Sequence, residues 1–336
     1  AQAETKTLAL GEVRSVLWRI ALTVAVFELV TAAALSARFW LGHGMDAGSA
    51  VWHGVFHSVS AFNNAGFSVN TDNLMAYVSD PWVNVPVTLA VIFGGLGFPV
   101  LLELRRRLTE PRRWSTHTTI TVWGTAALLL LGMLALLAME WGNPNTLGPL
   151  GSSDKVMASF FQSMTARTAG FNTIDTGALQ PGTLAVLDGL MFIGGGSAGT
   201  AGGIKVTTFF LLGFVIWAEL LGEPDVNVHT RRLGPGPQRQ ALSVALLGVA
   251  CVALGTLALL VLTDHSLDQV LFEAVSAFAT VGLSTGITAS LDEAAQLVLI
   301  TLMFVGRVGP MTVGAALALR SRRRLYRLPE GRPIVG

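Results

Sequence analysis

Three short segments carry what a cation can use from a protein backbone: Asn64-Ala65-Gly66-Phe67, Thr168-Ala169-Gly170-Phe171 and Thr280-Val281-Gly282-Leu283. Each follows a short semi-apolar stretch and leads through polar residues into a long apolar run. The preceding words rhyme, with Ser60-Ala61-Phe62 and Ser276-Ala277-Phe278 running straight into their glycine turns. The glycines lie 104 and 112 residues apart, so the chain reads as a repeat protein with a period of about 105–110 residues. Glycine reaches dihedrals closed to other residues, which lets consecutive carbonyls point to a common axis. Rings of such carbonyls replace the hydration shell of an ion inside a pore. Asn64, Thr168 and Thr280 can add side-chain oxygens or brace the turns. One isolated glycine at membrane depth would be read as a site of close helix packing. Three in the same setting point to an ion pathway.

A second feature lies between Met191 and Lys205. Ten consecutive residues, Gly194, Gly195, Gly196, Ser197, Ala198, Gly199, Thr200, Ala201, Gly202 and Gly203, are all Gly, Ser, Ala or Thr inside an otherwise apolar run. Each glycine costs a helix about 1 kcal/mol against alanine. Unwound backbone at membrane depth is tolerable only against protein or a water-filled cavity. The expectation is an unwound loop in the conduction path, acting as a gate. Gly194, Gly196 and Gly199 spell a G-x-G-x-x-G pattern. That pattern needs a preceding strand and a βαβ unit, so nucleotide binding is rejected here. Arg307, in Phe304-Val305-Gly306-Arg307-Val308-Gly309-Pro310, sits inside the last apolar run. An arginine near a helix centre costs about 2.5–3.5 kcal/mol on insertion scales, so it faces protein or water. It is expected to donate to carbonyls of the glycine loop and to form part of the constriction, with Lys205 at the loop's end.

Other charged residues carry weaker expectations. Arg167 and Asp175 flank the second turn and suit a bracing salt bridge. Glu273 precedes the third turn, where a carboxylate would raise the local cation concentration. Glu28 and Asp188 are as suited to structural as to functional roles. His53 and His57 have helical metal-ligand spacing, but residue 54 is glycine and no third ligand is evident, so a satisfied pair is the better reading. The single cysteine, Cys251, lies in an apolar run and reads as a packing residue. No nucleophile–base–acid constellation is found, so an enzyme is not expected.

The elements that position these residues follow from composition. Hydrophobic residues are 51% and charged residues 13% of the 336, and mean hydropathy is +0.58. A soluble domain carries about a quarter charged residues, so an all-α membrane protein is expected. Apolar runs long enough to cross a bilayer, roughly 20 residues, fall at 16–35, 81–104, 118–139, 183–221, 241–263 and 292–319. The fourth is overlong and interrupted by the glycines. Between them, 51–62, 153–165 and 267–279 are too short to cross and read as re-entrant half-helices. The unit is span, half-helix, filter-like turn, span, repeated around a pseudo-symmetric ion pore. The divisions are 1–15, an N-terminal segment; 16–110, 111–222 and 241–319, three pore repeats, the second with a broken inner helix; 223–240, a loop; and 320–336, a basic tail. Five arginines between 105 and 113, six from 320 onward, and Arg231, Arg232 and Arg239 collect on one side. By the positive-inside rule that side and both termini are cytoplasmic. A topogenic role for the tail is preferred over nucleic-acid binding.

At these residues the chain resembles the Trk/Ktr/HKT superfamily of potassium transporters, in the manner of KtrB- or TrkH-type membrane subunits. The matching words are 60–68, 165–173 and 276–284, the loop ending Gly202-Gly203-Ile204-Lys205, and Val305-Gly306-Arg307-Val308-Gly309-Pro310. The likeness covers about 12–320. It implies four pseudo-symmetric repeats around one K+ pathway, with filter glycines at Gly66, Gly170 and Gly282. It also implies an intramembrane gate at 194–203 beside Arg307. Such subunits form homodimers in the plasma membrane and work on a cytosolic ring of nucleotide-binding subunits of the KtrA/TrkA type. Only three repeats are seen, matching the family's second, third and fourth, so the chain is expected to lack the first. The three glycines favour K+ over Na+ as the transported or coupling ion, and no other cofactor is expected. The alternative reading is a secondary transporter whose discontinuous helix forms the ion or solute site. It predicts paired broken spans related by inversion, whereas the sequence suggests one broken span and same-sense repeats.

Overall fold

The computed structural model describes residues 10–228 and 231–319, so the basic tail from 320 and the segment 1–9 lie outside the described residues. The described chain is helical apart from a small hairpin pairing Asn227–Val228 with Arg231–Arg232. The first unit contains α1 (Leu10–His43), α2 (Ala47–Phe62), α3 (Pro81–Leu96) and α4 (Phe98–Arg107). The second contains α5 (Thr116–Glu140), α6 (Ser152–Thr165), α7 (Pro181–Phe192) and α8 (Val206–Leu220). The third contains α9 (Pro235–Leu262), α10 (Leu267–Ala279) and α11 (Glu293–Leu319).

Among the described residues, Arg14–His43, Thr116–Glu140 and Pro235–Leu262 are long and apolar enough to cross a membrane. Local chemistry sets the element starts. Asp46 caps α2 through the Ser49 amide at 2.9 Å, Ser115 caps α5 through Thr118 at 3.2 Å, and Pro81, Pro181 and Pro235 open their helices. Proline suits that position because its missing N–H would be unbonded there anyway. Exposed tryptophans mark two levels. Trp40, Trp52, Trp82 and Trp141 sit near the ends facing the glycine turns, and Trp18, Trp123 and Trp217 lie toward the opposite ends. Aromatic belts of this kind belong at membrane–water interfaces.

Each half-helix packs beside its own unit's spans: α2 against α1 and α3, α6 against α5, and α10 against α9 and α11. Several of these crossings pass at a glycine, including Gly54 of α2 against Ser36 of α1 and Gly132 of α5 against Ser163 of α6. A Cβ on Gly94 of α3 would run into the carbonyl of Phe62, the last residue of α2, and one on Gly306 of α11 into that of Phe278 in α10.

The second apolar run, 81–104, differs from the single span expected. It breaks at Gly97 (φ +95°), and α3 and α4 meet at 103°. The fourth run splits as foreseen, into α7 and α8, with no helix from 194 to 205. Among the described residues there are therefore two interrupted helices where the sequence suggests one.

Candidate functional site

The three glycine turns share one backbone form. Asn64 and Gly66 have φ +51° and +72°, Thr168 and Gly170 +73° and +80°, and Thr280 and Gly282 +52° and +93°. Two left-handed residues thus flank one ordinary residue in each turn, a conformation non-glycine residues adopt at a cost. The turns begin alike: Ala65 N donates to Ser60 O at 2.8 Å, Ala169 N to Thr165 O at 2.9 Å, and Val281 N to Ser276 O at 2.9 Å.

They end alike too. Ser60 Oγ donates to Phe67 O at 2.8 Å, Thr165 Oγ1 to Phe171 O at 2.5 Å, and Ser276 Oγ to Leu283 O at 2.6 Å. The last hydroxyl residue of each half-helix therefore pins the carbonyl just beyond the glycine. Sequence reasoning missed these clamps, although Ser60 and Ser276 stood in the rhyming words and Thr165 in the matching one.

The turns meet in space. A Cβ on Gly66 would lie 2.5 Å from Ala169 O and 2.7 Å from Gly170 Cα. One on Gly170 would strike Val281 O, and Gly170 Cα is the neighbour of Gly282. The second turn sits between the other two and is buried along its length, whereas Phe67 and Gly282 are exposed. Phe171 and Leu283 are buried.

The loop 194–205 lies directly against these turns. Gly202 N donates to Thr168 Oγ1 at 3.3 Å, and a Cβ on Gly202 would meet Thr280 Oγ1. Asn64 approaches the backbone at Gly95. The Asn64 amide and the Thr280 hydroxyl are buried without a hydrogen-bond partner among the described residues. The loop closes at its base through Gly194 N to Ile204 O at 2.8 Å and Val206 N to Gly195 O at 3.0 Å. Its flank rests on the break in the second run. Gly196 N donates to Gly95 O at 2.7 Å, Thr200 N to Gly94 O at 3.2 Å, and Phe98 N to Ala198 O at 3.2 Å. The missed kink at Gly97 thus docks the glycine loop. Gly94-Gly95-Leu96-Gly97-Phe98-Pro99 was its signal.

Side chains pin the loop as well. Arg307 Nη1 donates to Thr200 O at 2.9 Å, Lys205 Nζ to Ala201 O at 2.6 Å, and Thr200 Oγ1 to Phe62 O at 3.2 Å. Ser197 Oγ lies 3.2 Å from Thr207 Oγ1, and Gly199 and Gly203 complete the strand of small residues between these anchors.

Two expectations need correcting, and a third residue gains partners. Arg167 does not pair with Asp175: it is buried and donates to Gly194 O at 3.1 Å and Thr125 O at 3.4 Å, while Asp175 caps the Gly177 amide at 2.9 Å. Burial of the second turn leaves the guanidinium no route to Asp175, and the loop's carbonyl takes its place. Glu273 serves the backbone near the third turn, a contact the sequence did not foresee. Its carboxylate accepts from Ser284 Oγ, Thr285 N, Thr285 Oγ1 and Thr288 Oγ1 at 2.7–3.0 Å, a clamp on the loop beyond the third turn. The histidines are not a satisfied pair. His57 is buried, with Nε2 2.9 Å from Ser68 Oγ, but His53 Nδ1 is buried without a partner.

Comparison with known proteins follows the same lines. The chain matches the TrkH family, described as cation transport protein, over residues 1–323. It is 40% identical over 309 residues to Ktr system potassium uptake protein B of Bacillus subtilis, covering 92% of this chain and 68% of that one. It is 37% identical over 334 residues to the protein of the same name from Vibrio alginolyticus, covering 98% and 73%. The crystal structure of the potassium transporter TrkH from Vibrio parahaemolyticus superposes with a TM-score of 0.69 at 21% identity, covering 95% of this chain and 66% of that one. The chain thus spans about two thirds of the length of the proteins it matches. With the family match running almost end to end, this chain belongs to the TrkH family of cation transport proteins.

Proposed function

We propose that this chain is the pore-forming part of a potassium uptake system, moving K+ across the plasma membrane. The observation that carries the reading is the convergence of three left-handed glycine turns, each with its outer carbonyl pinned by a half-helix hydroxyl. Backbone oxygens held in that way can replace the water around a dehydrated monovalent cation. The three units 16–110, 111–222 and 241–319 each give one filter segment. Loop 194–203 lies under the filter and is held by Arg307, so it is suited to gate the path. Lys205 fixes the loop's far end. K+ is cargo here, with Na+ a weaker candidate, and the chain performs no catalysis.

The relatives' names, Ktr system potassium uptake protein B, support a membrane component of a larger system. On this reading the chain works as a homodimer on a cytosolic ring of nucleotide-binding subunits. The loops holding Arg105 to Arg113 and Arg231 to Arg239 face that ring, and both termini are cytoplasmic. A secondary transporter gains one observation, the second interrupted helix. Both breaks are spent on docking the glycine loop rather than on presenting two half-helix ends to a solute, which favours the pore.

The test is rubidium uptake by cells lacking their own potassium uptake, expressing the full gene together with its ring. Uptake competed by potassium far better than by sodium is expected. Uptake indifferent to potassium, or unchanged by Gly170→Ala, would overturn the reading.

A further inference from the structure

Beneath the glycine loop, on the side away from the filter turns, lies a cavity of about 480 Å³. Its polar lining comes from Ser197, Lys205, Thr207, Thr208, Gln240 and Arg307, and no acidic residue lines it. Two cations therefore share one cavity without a counter-charge. Each spends one donor on the loop, Lys205 on Ala201 O at 2.6 Å and Arg307 on Thr200 O at 2.9 Å. An ammonium has three donors and a guanidinium five, so most of their hydrogen-bonding capacity is left over. Lys205 is also the N-cap of α8 and makes no side-chain cap. The first-turn amides of Thr207 and Thr208 have no acceptor among the described residues. The positive end of the α8 dipole therefore adds to the same field.

We propose that this cavity binds an anionic phosphate group, either inorganic phosphate or the phosphodiester of a lipid headgroup that carries net negative charge. Its side chains bring two cations, hydroxyls and one amide but no carboxylate, a set that suits an oxyanion better than K+. Arginine's planar fork takes two oxygens at once, and lysine holds a third as a point charge. Two like charges facing one cavity repel, and an anion between them removes that repulsion. The consequence for flux rests on the transport reading, whereas the binding itself does not. A cation leaving the filter meets two positive charges, so a bound phosphate lowers the barrier and raises uptake.

The test uses the full-length protein in nanodiscs of phosphatidylcholine alone, or of phosphatidylcholine with phosphatidylglycerol. Thermal unfolding is followed as inorganic phosphate is titrated against chloride of equal ionic strength. In phosphatidylcholine a saturable rise in Tm of about 3 °C or more is expected. The rise is expected to vanish in Lys205→Gln and Arg307→Gln and to persist in Lys205→Arg. A higher starting Tm in phosphatidylglycerol, with no further response to phosphate, would assign the site to the lipid headgroup. No response beyond chloride, with equal Tm in both discs, overturns the proposal, as does an undiminished response in both glutamine variants. The wild-type titration decides whether phosphate binds even if a variant fails to fold. Rubidium uptake, measured separately with phosphate on the cavity side, is expected to rise several-fold. Absent uptake with intact binding would count against the transport reading and leave the site standing.

Discussion

At the scale of single residues, the second turn tolerates the least change. Gly170 holds φ +80°, and a Cβ there would collide with the carbonyl of Val281 and sit 3.1 Å from Gly66 Cα. Gly170→Ala combines left-handed strain of about 1–3 kcal/mol with displacement of two neighbouring turns. Rubidium uptake is expected to fall at least ~10-fold, the effect of about 1.4 kcal/mol at the site, while the protein still reaches the membrane. The hydroxyl clamps make a gentler probe. Ser276→Ala removes the bond to Leu283 O and is expected to lower stability by about 1 kcal/mol. It also frees that carbonyl to move, so sodium should compete better for uptake. Ser276→Thr keeps the donor and is expected to restore discrimination; equal sodium competition in all three proteins would remove the clamp from the selectivity argument. Glycines and repeated words made the turns legible in the sequence. The partners of Arg167 and Glu273 were not, because a charge's partner depends on packing. Arg167 stands in Thr165-Ala166-Arg167 where the other words have Phe62 and Phe278. It also belongs to the unit whose last apolar run is interrupted, between α7 and α8, by the loop that Arg167 holds.

At the scale of elements, the half-helices were plain from length and polarity, since a stretch of about a dozen residues cannot cross a bilayer. The third ends where expected, at Ala279, and the first and second at Phe62 and Thr165. The break between α3 and α4 was not read. Hydropathy stays high through 81–104, and hydropathy reports burial in lipid, not dihedral angle. Gly97 reveals its function only through φ +95° and the Ser197 carbonyl that occupies the place of a Cβ. This makes Gly97 the hinge on which the loop is docked, through the Phe98 N bond to Ala198 O at 3.2 Å. Gly97→Ala is expected to destabilise the protein by about 1–3 kcal/mol, read as a lower Tm in detergent. It should also leave loop 194–205 open to proteolysis. A Tm equal to wild type would show that the two interrupted helices do not depend on each other.

At the scale of the whole molecule, carboxylates fasten both ends of the helices, as Glu103 does through Ser115 and Thr118, and arginines hold the loop between them. The end facing the glycine turns is fastened by buried carboxylates. Glu140 accepts from Thr146, Asn143, the Gln180 amide and Thr183 at 2.5–2.9 Å, and Asp80 accepts from Arg38 Nε at 2.8 Å beside His43 Nε2 at 2.7 Å. Burial pushes the Asp80 carboxyl up, but bonds from Arg38, His43 and the Trp82 amide outweigh it and leave it below its ordinary 3.8. A carboxyl depressed in the folded state stabilises above its unfolded value, and that contribution is lost as pH falls through the folded one. Tm is therefore expected to hold from neutral pH to about 5 and to drop below about 4. Asp80→Asn should lower Tm at neutral pH and shrink the acid step; an unchanged acid step would assign it elsewhere. Beneath the glycine turns, two arginines grip one loop from two directions. Arg167 is buried and reaches Gly194 O at the loop's base, whereas Arg307 is exposed to the cavity and reaches Thr200 O at its tip. Removing a buried guanidinium leaves carbonyls without donors at a depth where water cannot replace them, so Arg167→Met should cost assembly as well as uptake. Arg307 borders a cavity from which water can serve Thr200 O in its place. Arg307→Ala is therefore expected to fold with little change in Tm and to raise rubidium uptake several-fold, by freeing the loop's tip and removing a positive charge from the path. Unchanged uptake in a folded Arg307→Ala protein would show that the loop's tip does not control flux.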